Sequence, residues 1–176
     1  MVSLFYRLLI TYFKKCLFNY FKYFIVKNGL IKIFTNYKFY YLIFYFLSKS
    51  TFFQIKNLVD IVAIDYPGKT YRFLLSYLFL SNHLNNRLNV YFCINELFPV
   101  ISIKEIFNSS NWLEREVWDF FGIFFLFNND LRRLFSDYGF EGYAHRKDFP
   151  LFGYYELYYN QSSFSLCYGP VSINKD

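Results

Sequence analysis

Residues 131–153 read LRRLFSDYGFEGYAHRKDFPLFG. Arg132, Arg133, Asp137, Glu141, Arg146, Lys147 and Asp148 put charge of both signs beside His145 and a series of aromatic rings. Such residues do acid–base, metal or nucleophilic chemistry only when spacing brings them to one point. His83 and His145 are the two histidines, far apart, with no HExxH or HxH pattern. Cys16, Cys93 and Cys167 form no CxxC pair, so this chain alone builds no zinc or iron–sulfur site; reduced thiols are the plain reading. No GxGxxG, GxxxxGK[ST] or GxSxG run occurs. Glu114 and Glu116 stand two apart on a predicted helix and diverge. Asp137 and Glu141 have basic neighbours and read as salt-bridge partners. The run therefore points to docking. Arg132, Arg133, Arg146 and Lys147 offer fixed charge suited to carboxylates across an interface. The rings between them are the residue types enriched at binding hot spots.

The element leading into this run is the best marked in the chain. In Asn111-Trp112-Leu113-Glu114, Asn111 can cap the first-turn amides and Glu114 can reach back, as in a capping box. A helix is predicted over 112–121. Leu113, Val117, Phe120 and Phe121 make its apolar stripe, and Arg115 and Asp119 are placed to pair at i, i+4. Gly122 is its stop. IFFLF, 123–127, reads as a short strand, and VISIKEIF, 100–107, as the start of a short helix.

Upstream, LVDIVAIDY (58–66) alternates as a strand. Val59, Ile61, Ala63 and Asp65 face one way; Leu58, Asp60, Val62, Ile64 and Tyr66 face the other. Pro67-Gly68 turns the chain. Strands follow at about 70–80 and 88–95, with a polar turn between them, giving an antiparallel meander. Residues 36–48 read as a buried helix. Residues 1–35 have no clear period, with a turn offered at Asn28-Gly29. The chain divides into a basic aromatic N-terminal extension over 1–50, helical in part, a core over 51–127, and an irregular docking loop and tail over 128–176.

Composition bounds the remaining choices. The 176 residues suit one domain with a real core. Aromatic residues make up 27%, with 26 Phe and 19 Tyr, against two alanines. The favoured residues have AT-rich codons, which fits an organellar genome. No uncharged run reaches the length of a membrane span. The net charge of +6 comes from residues 1–59, which carry nine Lys or Arg and no acid. Such a segment suits nucleic acid, an anionic lipid surface or an acidic protein neighbour. A cleaved leader is set aside because the chain begins at Met1. No RNA-recognition pattern accompanies the charge, so an organellar RNA-binding or ribosomal protein is the second reading. An isolated enzyme is the third.

The run NWLEREVWDFFGIFF…DLRRLFSDYGFEGYAHRKDFPLFGYYEL resembles the signature of the 30-kDa-type subunit family of respiratory complex I. Its bacterial members are the C subunits of NADH-quinone oxidoreductase, and those of mitochondrial genomes are called NADH dehydrogenase subunit 9. Residues 58–170 are covered well and 1–50 poorly. Asn128-Asn129 and Tyr143-Ala144-His145 stand where the family has His-Pro and His-Pro-Leu. The resemblance implies an α+β, two-layer fold: a mixed, mainly antiparallel sheet with flanking helices, then a long irregular C-terminal docking segment. It implies a structural, non-catalytic subunit of proton-pumping NADH:ubiquinone oxidoreductase. Its place would be the peripheral arm, on the matrix side of the mitochondrial inner membrane. Its partners would be the 49-kDa-type quinone-site subunit and neighbouring iron–sulfur subunits, with accessory subunits at the N-terminus. This chain would hold no cofactor, FMN and the iron–sulfur clusters residing in partners. The expected interface residues are Glu114, Arg115, Glu116, Trp118, Asp119, Arg132, Arg133, Asp137, Tyr138, Arg146, Lys147 and Asp148.

Overall fold

The computed structural model describes residues 11, 12, 15, 20–27 and 30–172. Five strands form the main sheet: β1 (Phe21–Lys27), β2 (Leu30–Thr35), β3 (Asn57–Asp65), β4 (Phe73–Ser81) and β5 (Asn86–Ile94). Their order is β1-β2-β5-β4-β3. Neighbours run antiparallel except β2 and β5, which are parallel. Helices α1 (Tyr40–Lys49) and α2 (Ser110–Phe121) pack on the sheet. A short parallel pair, β6 (Val100–Ile101) with β7 (Phe125–Leu126), joins the start and end of the α2 region. The architecture is the expected α+β one, mixed but mainly antiparallel. Among the described residues no helix is long and apolar enough to cross a membrane.

Helix α1 follows from its spacing. Tyr40, Ile43, Phe44 and Leu47 fall on one face and are all buried. The Phe44 ring lies 4.8 Å from that of Tyr77 and 5.0 Å from that of Phe79; Tyr40 stacks on Phe92 at 4.4 Å. This aromatic layer is the centre of the core. At the other end of the sheet the Ser109 hydroxyl donates to the Leu58 carbonyl at 3.2 Å, tying the head of α2 to β3.

Strand β3 departs from simple alternation. A bulge at Val59 shifts its pairing with β4, so Leu58 is buried with Ile61, Ala63 and Asp65 while Val59 faces out. Sequence alternation put Leu58 and Val59 on the opposite faces. Beyond β3, Gly68 takes φ +86° and Lys69 N–H donates to the Tyr66 carbonyl, a turn with Pro67 at its first corner.

Other expectations are corrected. Residues 21–35 are not part of an extension ahead of the core: β2 lies inside the sheet, against β5. A domain boundary at residue 50 would cut that sheet. The turn offered at Asn28-Gly29 lies outside the described residues, although the strands flanking it pair antiparallel. Residues 100–107 form β6 and a tight turn, closed by Ile106 and Phe107 amides on the Ile103 carbonyl, rather than a helix. The tail is not wholly irregular, because β8 (Tyr155–Asn160) and β9 (Ser165–Pro170) make a hairpin.

A latched charged loop as the candidate functional site

The charged loop is fastened to the domain by two hubs and a helix cap. The first hub is Asp119, fully buried on α2. Its Oδ2 accepts the backbone N–H groups of Leu134, Phe135 and Ser136 at 3.0, 2.7 and 2.9 Å. Its Oδ1 accepts from Arg133 Nη1 at 3.0 Å. Arg133 Nη2 then donates to the carbonyls of Phe140 and Gly142, each at 3.0 Å. The guanidinium lies over the rings of Trp118, Phe140 and Tyr143. One ion pair thus gathers residues 133–143 onto the helix.

The second hub is Arg72, just before β4. It grips Asp65 with two bonds, Nε to Oδ1 at 2.7 Å and Nη2 to Oδ2 at 2.9 Å. It also reaches Glu96 Oε2 at 3.1 Å and Asp148 Oδ2 at 2.8 Å. Glu96 bridges to Arg146 through its other oxygen. The Lys147 N–H donates to Asp65 Oδ2 at 2.9 Å. Sheet and loop therefore share one alternating chain of charges.

Between the hubs the loop closes the end of α2. Gly122 is the left-handed cap, at φ 71°. The His145 N–H donates to the Phe120 carbonyl at 3.1 Å and Arg146 Nε to the Phe121 carbonyl at 2.6 Å. These are carbonyls the helix cannot satisfy itself, at the end where a cation is favoured. The His145 ring stacks on Phe120 at 4.1 Å, so this histidine is a lid on the helix end. A Cβ on Gly122 would sit 2.5 Å from the Tyr143 ring and 2.8 Å from Arg146 Nη2. Gly122→Ala is expected to cost more than about 1 kcal/mol through the positive φ, and to loosen the loop as well. Urea unfolding midpoints check this; an unchanged midpoint would mean the cap is not tight.

Electrostatics reinforce the hubs. Burial alone would push the Asp119 carboxyl up, but the Ser136 and Phe135 amides and the Arg133 guanidinium outweigh it. The carboxyl is held well below the usual carboxylate range. The Arg72 hydrogen bonds, against the pull of burial, hold Asp65 low as well. For a depressed carboxyl the stabilisation is complete above the ordinary value of 3.8 and drains as pH falls below it. Stability is expected to fall steadily below about pH 4, and Asp119→Asn should flatten that slope. Unfolding midpoints measured against pH check this, and parallel slopes for the two proteins would show that Asp119 does not carry the acid sensitivity.

The twelve residues expected at an interface divide. Glu114, Arg115 and Asp119 are buried, so their side chains serve the interior. Glu114 does not cap α2; Ser109 holds the cap position, without a side-chain bond. The Glu114 carboxyl instead meets Ser102, Ile103 and Asn128. Arg115 does not pair with Asp119 but points to the carbonyls of Arg132 and Arg133 and to Asp130. Trp118, Arg133 and Arg146 are part-buried and used internally, and Glu116 is half-buried. Arg132, Asp137, Tyr138, Lys147 and Asp148 are exposed. Asp137 bonds the Tyr138 amide and the Tyr168 hydroxyl rather than a basic neighbour. Asp65, Arg72 and Glu96 were missed, although Asp65, a carboxylate in phase with buried Ile61 and Ala63, was a readable signal.

Among the described residues no three His, Cys, Asp or Glu side chains gather as a metal cage. A hollow of about 250 Å³ is lined by Tyr23, Phe34, Tyr71 and Tyr91, and also by Lys22 and Cys93. It is smaller than the usual small-molecule site.

The fold is shared with chains already solved. A chain from an archaeal respiratory membrane complex, the membrane-bound sulfane sulfur reductase, matches with a TM-score of 0.70 at 21% identity. The match covers 82% of this chain and 85% of that one. The trypsin-resistant fragment of Nqo5 matches with a TM-score of 0.58 at 24% identity, over 71% of this chain and 99% of the fragment. Residues 38–155 match the family described as respiratory-chain NADH dehydrogenase, 30 Kd subunit, and the chain belongs to that family. The NADH-quinone oxidoreductase C subunit of Rhodospirillum rubrum is 47% identical over 131 residues, 74% of this chain and 62% of the relative. The probable mitochondrial NADH-ubiquinone oxidoreductase 30.4 kDa subunit of Candida maltosa is 39% identical over 165 residues, 94% of this chain and 60% of the relative. NADH-ubiquinone oxidoreductase subunit 9 of Prototheca wickerhamii is 42% identical over 132 residues, covering 75% and 69%. The chain thus spans only about 60% of the bacterial and yeast relatives.

Proposed function

We propose that this chain is a structural subunit of proton-pumping NADH:ubiquinone oxidoreductase. It works in a mitochondrion, in the peripheral arm on the matrix side of the inner membrane. It braces the 49-kDa-type quinone-site subunit and neighbouring iron–sulfur subunits, and FMN and the clusters belong to those partners. Mitochondrial relatives and the family support the compartment and the complex. The AT-biased composition supports encoding in the organelle.

One observation carries the docking role. The loop spends its buried charges on the domain and turns large apolar and aromatic side chains outward. Phe135, Tyr138 and Leu151 are 63%, 86% and 93% exposed. The β8–β9 hairpin adds Tyr155, Tyr159, Phe164, Leu166 and Tyr168, all more than half exposed. A two-stranded hairpin with open faces is marginal in water, so a partner's surface is its natural setting. The inward bonds fix the shape that the outward rings present, which lowers the entropic cost of binding. Extraction of the native membrane in mild detergent tests this reading. The chain should co-purify with NADH:quinone oxidoreductase activity, and its recovery as a free monomer would end the proposal.

A further inference from the structure

Among the described residues three carboxyl groups are almost wholly removed from water: Asp65, Glu114 and Asp119. Asp65 is paired with Arg72 and Asp119 with Arg133. Glu114, fully buried, has no cation against it among the described residues; its partners are neutral. Oε1 accepts the Ile103 N–H at 2.9 Å. Oε2 lies 2.6 Å from Ser102 Oγ and 2.9 Å from Asn128 Nδ2. The other groups facing it are also neutral: Tyr40 from α1, Tyr77 from β4 and Ser110 from α2 itself. The charged groups nearby on α2 are engaged elsewhere, Arg115 with Asp130 and Asp119 with Arg133.

An ionised carboxylate without a countercharge is costly in such a place, whereas a neutral acid is not. The neutral acid keeps these contacts with one change, a turn of the Ser102 hydroxyl. Its carbonyl oxygen takes the Ile103 amide. In the structure the Ser102 hydroxyl donates to Oε2 at 2.6 Å and accepts the Lys104 N–H; when the acid is neutral, the serine hydroxyl turns and Oγ takes the acid's proton instead. Asn128 Nδ2 donates to the acid's hydroxyl oxygen.

We infer that Glu114 is carried as a neutral acid in the folded chain and serves as a proton-held latch, joining α2 to the ends of β6 and β7. Burial, working against the Ser102, Ile103 and Asn128 bonds, raises this carboxyl, in the direction the latch requires. Asn128 is where the charged loop begins. The residue before it, Phe127, has φ +66° and is 73% exposed, a conformation that a bulky side chain holds only when its surroundings impose it. Loss of the proton leaves a charge without a countercharge in the core, a cost that is relieved by letting water reach the carboxylate at this turn. The latch therefore makes the root of the loop sensitive to pH from the alkaline side, opposite to Asp119.

The sign of the effect separates the latch from the ion-pair hubs. A raised carboxyl contributes stability that is complete below its ordinary value of 4.5 and is lost as pH rises through the folded value. Urea unfolding of the full chain and of Glu114→Gln, from about pH 5 to about pH 8, reads this directly. The wild-type midpoint is expected to fall relative to Glu114→Gln as pH rises. A constant gap, or a wild type that gains on the variant, would overturn the latch. Infrared spectroscopy of the wild-type chain gives a reading that needs no variant. A protonated-carboxyl C=O band is expected at neutral pH, and its absence would overturn the proposal equally.

Discussion

Replacing Arg72 with leucine is expected to cost about 3–5 kcal/mol of unfolding free energy, the usual result of removing one partner from a buried ion pair. Asp65, 2% exposed, would keep only the Lys147 amide among its strong partners. Glu96 and Asp148 would lose the cation that keeps them beside Asp65. Against a typical domain stability of about 5–15 kcal/mol, that is a large share. The defect should also be local before it is global. Because Arg72 reaches Asp148 in the loop, limited proteolysis near residues 143–149 should quicken in Arg72→Leu before the sheet unfolds. A loss under about 1 kcal/mol, with the loop still protected, would show that the charge network is surface decoration.

Arg133→Ala should be comparably severe, again about 3–5 kcal/mol. Asp119 would keep its three amide donors, which hold residues 134–136 in place. The Phe140 and Gly142 carbonyls would lose their donor, and three aromatic rings would lose the cation packed on them. Arg133→Lys should not rescue, because an ammonium has neither the fork that spans Asp119 and two carbonyls nor a plane to stack. Urea midpoints of the three proteins decide the matter, and full rescue by lysine would reduce Arg133 to a point charge. In a cell the same change should lower the amount of assembled complex more than the turnover of each complex.

Local order was readable in the sequence, and long-range order was not. Strands β3 to β5 showed themselves through period-two alternation and Pro67-Gly68, and α2 through its periodicity and Gly122. β1 and β2 did not, because their outward positions carry Tyr23, Ile25 and Phe34 as well as lysine, which erases the contrast between faces. The Val59 bulge left no mark in a run already rich in apolar residues. The capping-box reading of Glu114 followed local spacing, but its true partners, Ser102, Ile103 and Asn128, are brought in by the β6–β7 pairing. The loop was correctly seen as charged and aromatic. What sequence could not show was that Asp65, Arg72 and Glu96, at the end of β3, just before β4 and just after β5, supply the counter-charges. Charges expected to face a neighbour are largely spent inside the domain, and exposed rings such as Tyr138 remain on the surface.

The exposed side of the loop tests the central claim most directly. Tyr138→Ala combined with Arg132→Glu alters residues that are well exposed and stand outside both hubs. The amount of assembled NADH:quinone oxidoreductase and the turnover of each assembled complex are measured on the same membranes. A docking role predicts less assembled complex with turnover per complex unchanged. Full assembly with lost turnover would contradict it and place this loop in the chemistry.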